Sequence, residues 1–247
     1  MSKRVLGLFF RVNQPTNLVG LGDSRKENMR LTSHAMGTAF VQVLESGEVK
    51  VAAMNYTKRQ RTTIRLPMGK GKKTKRENLT DTQVREATQE AAKDQGNFSY
   101  EFVFPRLVYY FVVSDDNNGP DKGGDELHLK AFMVARVTKG ELRDFQHLDR
   151  EFDSDTGKPI LEEDEILGPL VYYEIRDLLN QMSAPRRGLC VHISAVLATL
   201  VALATKYPRV ESYYRTIVNR TDVLERVRIS EQYKDEVTSY VQLAQAT

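Results

Sequence analysis

Glu86, Gln89 and Glu90 stand at spacings i, i+3 and i+4 in the run "LTDTQVREATQEAAKDQG", so an α-helix would place all three on one face. Two like charges one turn apart repel by about 0.2–0.5 kcal/mol unless something neutralises them. A divalent cation would do so, and Mg²⁺ favours carboxylate oxygens completed by phosphate and water. Just ahead of this run lies "GKGKKTKR", with Lys70, Lys72, Lys73, Lys75 and Arg76 within seven residues. A cationic loop opening onto paired carboxylates suits a ligand that is both anionic and metal-bound, such as a pyrophosphate. The same residues also describe a solvated acidic helix face beside a solvated basic loop, and spacing alone favours that plainer reading.

The flanking residues add a pattern. Gly71, five residues, Glu77, seven residues and then "REATQE" from Arg85 to Glu90 resembles the Nudix box, G-x5-E-x7-R-E-U-x-E-E-x-G-U, where U is a bulky aliphatic. The preceding "RLPMGKGK" is similar to the L-P-x-G-K entry of that family, and it leaves two glycines, Gly69 and Gly71, as alternatives for the box glycine. The chain departs from the pattern at Gln89, Ala92 and Lys93. The resemblance spans about residues 35 to 205 and implies metal ligation by Glu86 and Glu90, with Gln89 lending an uncharged carbonyl oxygen. It implies an Arg85–Glu77 pair holding loop and helix in register. It also implies a later carboxylate that orients water, for which Glu163 is chosen from the acidic run "LEEDE". Lys70, Lys72, Arg65 and Tyr109 are the expected substrate contacts, and Mg²⁺ or Mn²⁺ the expected cofactor. The activity implied is hydrolysis of a phosphoanhydride in a nucleoside diphosphate linked to another moiety, of the ADP-ribose, NADH or dinucleoside polyphosphate type. A nucleotide-binding sensor or scaffold with little catalysis is the alternative, motivated by Gln89 and Ala92. An RNA-binding use of the 58–76 basic stretch ranks third, for want of an aromatic ribonucleoprotein signature.

Positioning these residues requires strands before and after the helix. Strands are expected at 4–12, at 37–56 as a hairpin turning at Ser46-Gly47, at 62–67, at 100–114 with Pro105 bending or bulging the run, and at 127–137. Helices are expected from the Thr80 or Asp81 region to near Gly96, over 167–182 with a proline in the first turn, over 187–208, and beyond Pro208. The expected fold is α+β: a Nudix-like mixed sheet sandwiched between helices. The expected divisions are 1–34 as an N-terminal strand and loop, 35–207 as the Nudix-like domain, and 208–247 as a C-terminal helical extension.

Bulk properties set outer bounds. With 247 residues and 40% hydrophobic composition the chain can bury a substantial core. A net charge of +3 gives no argument for general nucleic-acid binding. One cysteine, Cys190, excludes an intrachain disulfide and a thiolate-rich metal site, which suits a reducing, cytoplasmic setting. The apolar run around it is shorter than a membrane span, and no membrane partner is expected. A homodimer is compatible with the polar tail. His192, inside that apolar run, is expected to be a hydrogen-bonded packing residue.

Overall fold

The computed structural model describes residues 30–58, 61–71, 78–105, 107–114, 126–149, 165–183 and 190–218. The strand expected at 4–12, together with Lys72, Glu77, Glu163 and residues 219–247, lies outside them.

β1 (Arg30–Val43) and β2 (Val49–Lys58) form the expected hairpin, with Gly47 at φ 87° in its turn. β3 (Arg61–Arg65) returns along β2, and β4 (Met68–Lys70) crosses to β1. β7 (Glu126–Lys139) runs parallel to β1 over ten paired positions, Arg30 to Phe40, and the remaining strand pairs are antiparallel, so the sheet is mixed. β5 (Ser99–Phe102) and β6 (Tyr109–Ser114) both pair with β7 on either side of the Pro105 interruption. β8 (His147–Asp149) and β9 (Glu165–Leu167) extend the β2 side.

Period-2 alternation divides the strands between two cores. On one face Ala39, Val41, Val49, Val51, Phe132 and Val134 meet α2 (Ile175–Ser183), α3 (Cys190–Lys206) and α4 (Pro208–Val218) through Leu178, Val196, Leu200 and Val210. On the other, Phe40, Ala52, Met54, Tyr56 and Ala135 meet α1 (Leu79–Ala91) through Ala87 and Ala91. The result is the expected α+β sandwich. Tyr214 and Ile217 of α4 belong to the first core and β1 begins at Arg30, so the packed unit includes residues on both sides of 34/35 and 207/208. Among the described residues no helix is long and apolar enough to cross a membrane.

Two expectations are corrected. The helix expected over 167–182 begins at Ile175; before it, β10 (Val171–Glu174) pairs with Ala53, Ala52, Val51 and Lys50 of β2. Val171, Tyr172 and Tyr173 suit a pleated surface, and pairing with β2 outweighs their helical spacing. The helix expected to run to Gly96 stops at Ala91, and its N-cap is Asn78, which forms a capping box with Asp81.

Gly47 faces the first turn of α4, where an added Cβ would lie 2.0 Å from the Arg209 carbonyl oxygen. Gly47→Ala is expected to cost about 1–3 kcal/mol, from the positive φ and the displaced backbone together. Urea unfolding measures it, and an unchanged midpoint would contradict the packing described.

Candidate functional site

β4 and α1 meet residue by residue. The Met68 N–H donates to Oε2 of Glu90 at 2.6 Å. Gly69 lies directly against the Glu86 carboxylate, whose carbon would be 1.9 Å from a Cβ built there. The Lys70 carbonyl accepts from Nη2 of Arg85 at 2.7 Å. Three consecutive strand residues thus meet three side chains of α1: Glu86 and Glu90 share one face at i and i+4, and Arg85, beside Glu86 in the chain, reaches round with its long side chain to the Lys70 carbonyl. Gly69, of the two alternatives, is the glycine that admits the acidic face; Gly71 instead packs on the His34 ring.

Further contacts hold this junction. The Thr38 N–H donates to the Pro67 carbonyl at 2.9 Å, and Gly71 N–H to the His34 carbonyl at 2.9 Å. His34 Nε2 and Thr82 Oγ1 are 2.7 Å apart, tying β1 to the first turn of α1. Gln83 is buried and donates to Thr38 Oγ1.

Glu86 is buried at 7% exposure and ion-paired with Arg85. Gln89 is exposed, and its side-chain oxygen accepts from Arg85 Nη1 at 3.2 Å, so the carbonyl expected to face a cation is turned to arginine. Arg65 stacks its guanidinium 3.5 Å from the Tyr56 ring centre. Burial lowers the pKa of Arg65, opposed by Tyr56 and then by the charges of Glu165 and Glu90. Burial also pushes the Tyr56 phenol far up, with a hydrogen bond to Glu165 adding to it. Of the acidic run 162–165, Glu165 is the described member, and it is ion-paired with Lys58 at 2.6 Å. Tyr109, expected to touch substrate, is only 2% exposed in the core beside Phe132, because its strand turns that side chain inward.

Lys130 is a cation that sequence reasoning missed. Ala35 of β1 is in register with Lys70 of β4 on one side and with Lys130 of β7 on the other, which sets the two lysines on one face of the sheet. Burial lowers the pKa of Lys130, and the positive charges of Arg65 and Lys70 lower it further. Nothing in its local sequence distinguishes it from any polar residue in a strand.

Among the described residues, no group of three or more His, Cys, Asp or Glu side chains converges as a metal site. Two carboxylates one helical turn apart against β4, Glu86 at Gly69 and Glu90 at Met68, nevertheless have the donor chemistry for Mg²⁺ or Mn²⁺, since Mg²⁺ is held by one or two carboxylates with phosphate oxygens and water completing its shell.

His192 is the expected packing residue. It is 2% exposed, accepts from the Leu66 N–H at Nδ1 (3.2 Å), and meets Phe132 edge-on. Burial, then the charges of Arg65 and Lys130, hold its imidazole well below the ordinary 6.5. The folded chain therefore binds fewer protons than the unfolded chain once pH falls below about 6.5, so stability declines there. Between pH 7.5 and 5.5 this group is expected to remove about 1.4 kcal/mol. Urea unfolding of wild type and His192→Gln at both values isolates it, and equal pH slopes would refute it.

No protein-family model and no curated protein sequence matches the chain. Solved structures do. A Nudix hydrolase from Nitrosomonas europaea aligns at 12% identity over 69% of this chain and 89% of its own, with TM-score 0.42. A Nudix hydrolase from Listeria monocytogenes aligns at 8% identity over 70% and 95%, with TM-score 0.44. The Nudix domain of NrtR from Shewanella oneidensis, solved with ADP-ribose, aligns at 12% identity over 73% and 93%, with TM-score 0.41.

Proposed function

We propose that this chain is a Nudix-type pyrophosphohydrolase that cleaves a phosphoanhydride in a nucleoside diphosphate linked to another moiety. The observation that carries the reading is the junction of β4 with α1, where Glu90 holds the Met68 N–H and Glu86 lies against Gly69. These are the residues that the box resemblance assigns to the cation, brought to one strand by the fold.

In this mechanism Glu86 and Glu90 are the residues that would hold Mg²⁺ or Mn²⁺. The cation, when bound, neutralises the diphosphate and polarises phosphorus. Arg85 keeps Glu86 and the Lys70 carbonyl in place, so the carboxylate does not have to reorganise on binding. Arg65, Lys70 and Lys130, with Lys72 of the basic run 70–76, receive the phosphate oxygens. A water oxygen bonds to one phosphorus as the bridging oxygen leaves with its electron pair. The water proton passes to a carboxylate, for which Glu163 is the candidate. Gln89 stays outside the cation shell in this scheme and steadies Arg85.

The test is turnover. Purified protein with Mg²⁺ or Mn²⁺ is incubated with ADP-ribose, NADH and a dinucleoside polyphosphate, and each is followed by chromatography. Metal-dependent release of a nucleoside monophosphate is expected from at least one. Absence of turnover of all three by folded protein would reject the enzyme. The exposed, arginine-bound Gln89 favours the second reading, a nucleotide-binding module without strong catalysis. Calorimetry showing binding of the same compounds with no hydrolysis would select it.

Lys130 offers a narrower check. Lys130→Met is expected to raise KM about tenfold with little change in kcat, since it removes a contact made equally by substrate and transition state. Unchanged KM would remove it from the phosphate site.

A further inference from the structure

α1 ends without the usual devices. Ala92 follows it in extended conformation (φ −76°, ψ 134°), no glycine takes a left-handed cap, and no basic residue occupies the last turn. The carbonyls left over there are met from the segment after β7. The Arg143 N–H donates to the Ala91 carbonyl at 2.8 Å, and Lys93 N–H to the Glu141 carbonyl at 3.0 Å, around a bridge between Ala92 and Leu142. The Arg143 side chain, 2% exposed, then reaches under the helix end. Its Nε donates to the Glu90 carbonyl at 3.0 Å, and its Nη1 to the carbonyls of Phe145 and Leu167, each at 3.1 Å. Its Nη2 rests 3.5 Å from the Met54 sulfur.

A buried guanidinium held by neutral carbonyls from three segments is an expensive arrangement to keep unless its charge is useful. Here the charge sits at the negative end of the α1 dipole. One of its acceptors is the backbone of Glu90 itself, whose side chain grips Met68.

We propose that Arg143 is a positioning residue for the candidate site: it pins the last turn of α1 to β9 and β2, and thereby sets where the Glu90 and Glu86 carboxylates stand. The second half of this inference rests on the reading of the site as a cation site; the first half does not. Arg143 acts through the helix and touches no substrate.

Two measurements on the full chain test it: hydrogen exchange across α1, and titration of the protein with Mn²⁺ alone, followed by electron paramagnetic resonance. Arg143→Met is expected to speed exchange at Gln89 to Ala92 at least about tenfold relative to the first turn, and to weaken Mn²⁺ binding about 10–100-fold. Arg143→Lys, which keeps the charge and one donor, is expected to fall between. Gly47→Ala, remote from the site, controls for lost stability and is expected to leave Mn²⁺ binding unchanged. Unchanged last-turn exchange in the variants overturns the pinning role, and unchanged Mn²⁺ affinity in folded Arg143→Met overturns the link to the carboxylates. If Arg143→Met does not fold, Arg143→Lys decides both by the same criteria. A wild-type protein that takes up no Mn²⁺ defeats the cation-site reading and the second half with it, while exchange still settles the first.

Discussion

Glu90→Gln is expected to lower kcat on a diphosphate-linked nucleoside by at least ~100-fold while leaving the fold in place. The substitution is isosteric, and the glutamine carbonyl can still accept the Met68 N–H that Glu90 accepts at 2.6 Å. Strand and helix therefore keep their register. What disappears is a negative charge at a point where α1, β4 and Arg65 converge. A hard cation held as proposed would lose one of its two carboxylates, and a factor of 100 corresponds to about 2.7 kcal/mol of transition-state stabilisation. Steady-state kinetics over a range of Mg²⁺ concentrations, alongside thermal melting, separate the two effects. Activity within threefold of wild type in a protein melting normally would remove Glu90 from the chemistry.

Gly69→Ala is expected to be more damaging, because it strikes both packing and charge. A Cβ there would lie 1.9, 2.0 and 2.2 Å from the carboxylate carbon and two oxygens of Glu86. Glu86 is buried among fixed neighbours, so its carboxylate cannot swing away without leaving Arg85, and β4 cannot retreat without losing its pairing to β1. The overpacking is expected to cost about 1–3 kcal/mol. Displacement of Glu86 adds a loss of activity of about 100-fold or more. Backbone strain plays no part, since the φ angle is one any residue adopts. Gly96→Ala is the comparison: its Cβ would meet only Asp94 Oδ1, at 3.5 Å, and normal activity is expected. Wild-type stability and kinetics in Gly69→Ala would mean that Glu86 does not occupy the space described.

Much of this site can be read in the chain because its parts are local. The placement of Glu86 and Glu90 on one helical face follows from covalent geometry, as does the alternation that divides Val41 from Phe40 between the two cores. The turn at Ser46-Gly47 and the break at Pro105 are also local, being set by single residues with restricted or permissive φ. Asn78 could have been recognised as the N-cap, since Asp81 stands three residues after it.

Tertiary structure alone decided the rest. Lys130 comes level with Lys70 because both flank Ala35, a register chosen by burial along a parallel pair almost a hundred residues apart in sequence. Val171–Glu174 are a strand instead of a helical turn because β2 offered open backbone groups to pair with. Tyr109 is core because β6 turns that side of itself toward Phe132. Arg143 reads as one more charged residue until its Nε is seen to donate to the Glu90 carbonyl at the end of α1. Local periodicity sets which side chains share a face. Which faces meet depends on how much apolar surface and how many backbone groups each pairing satisfies, a sum over the whole chain that no short stretch contains.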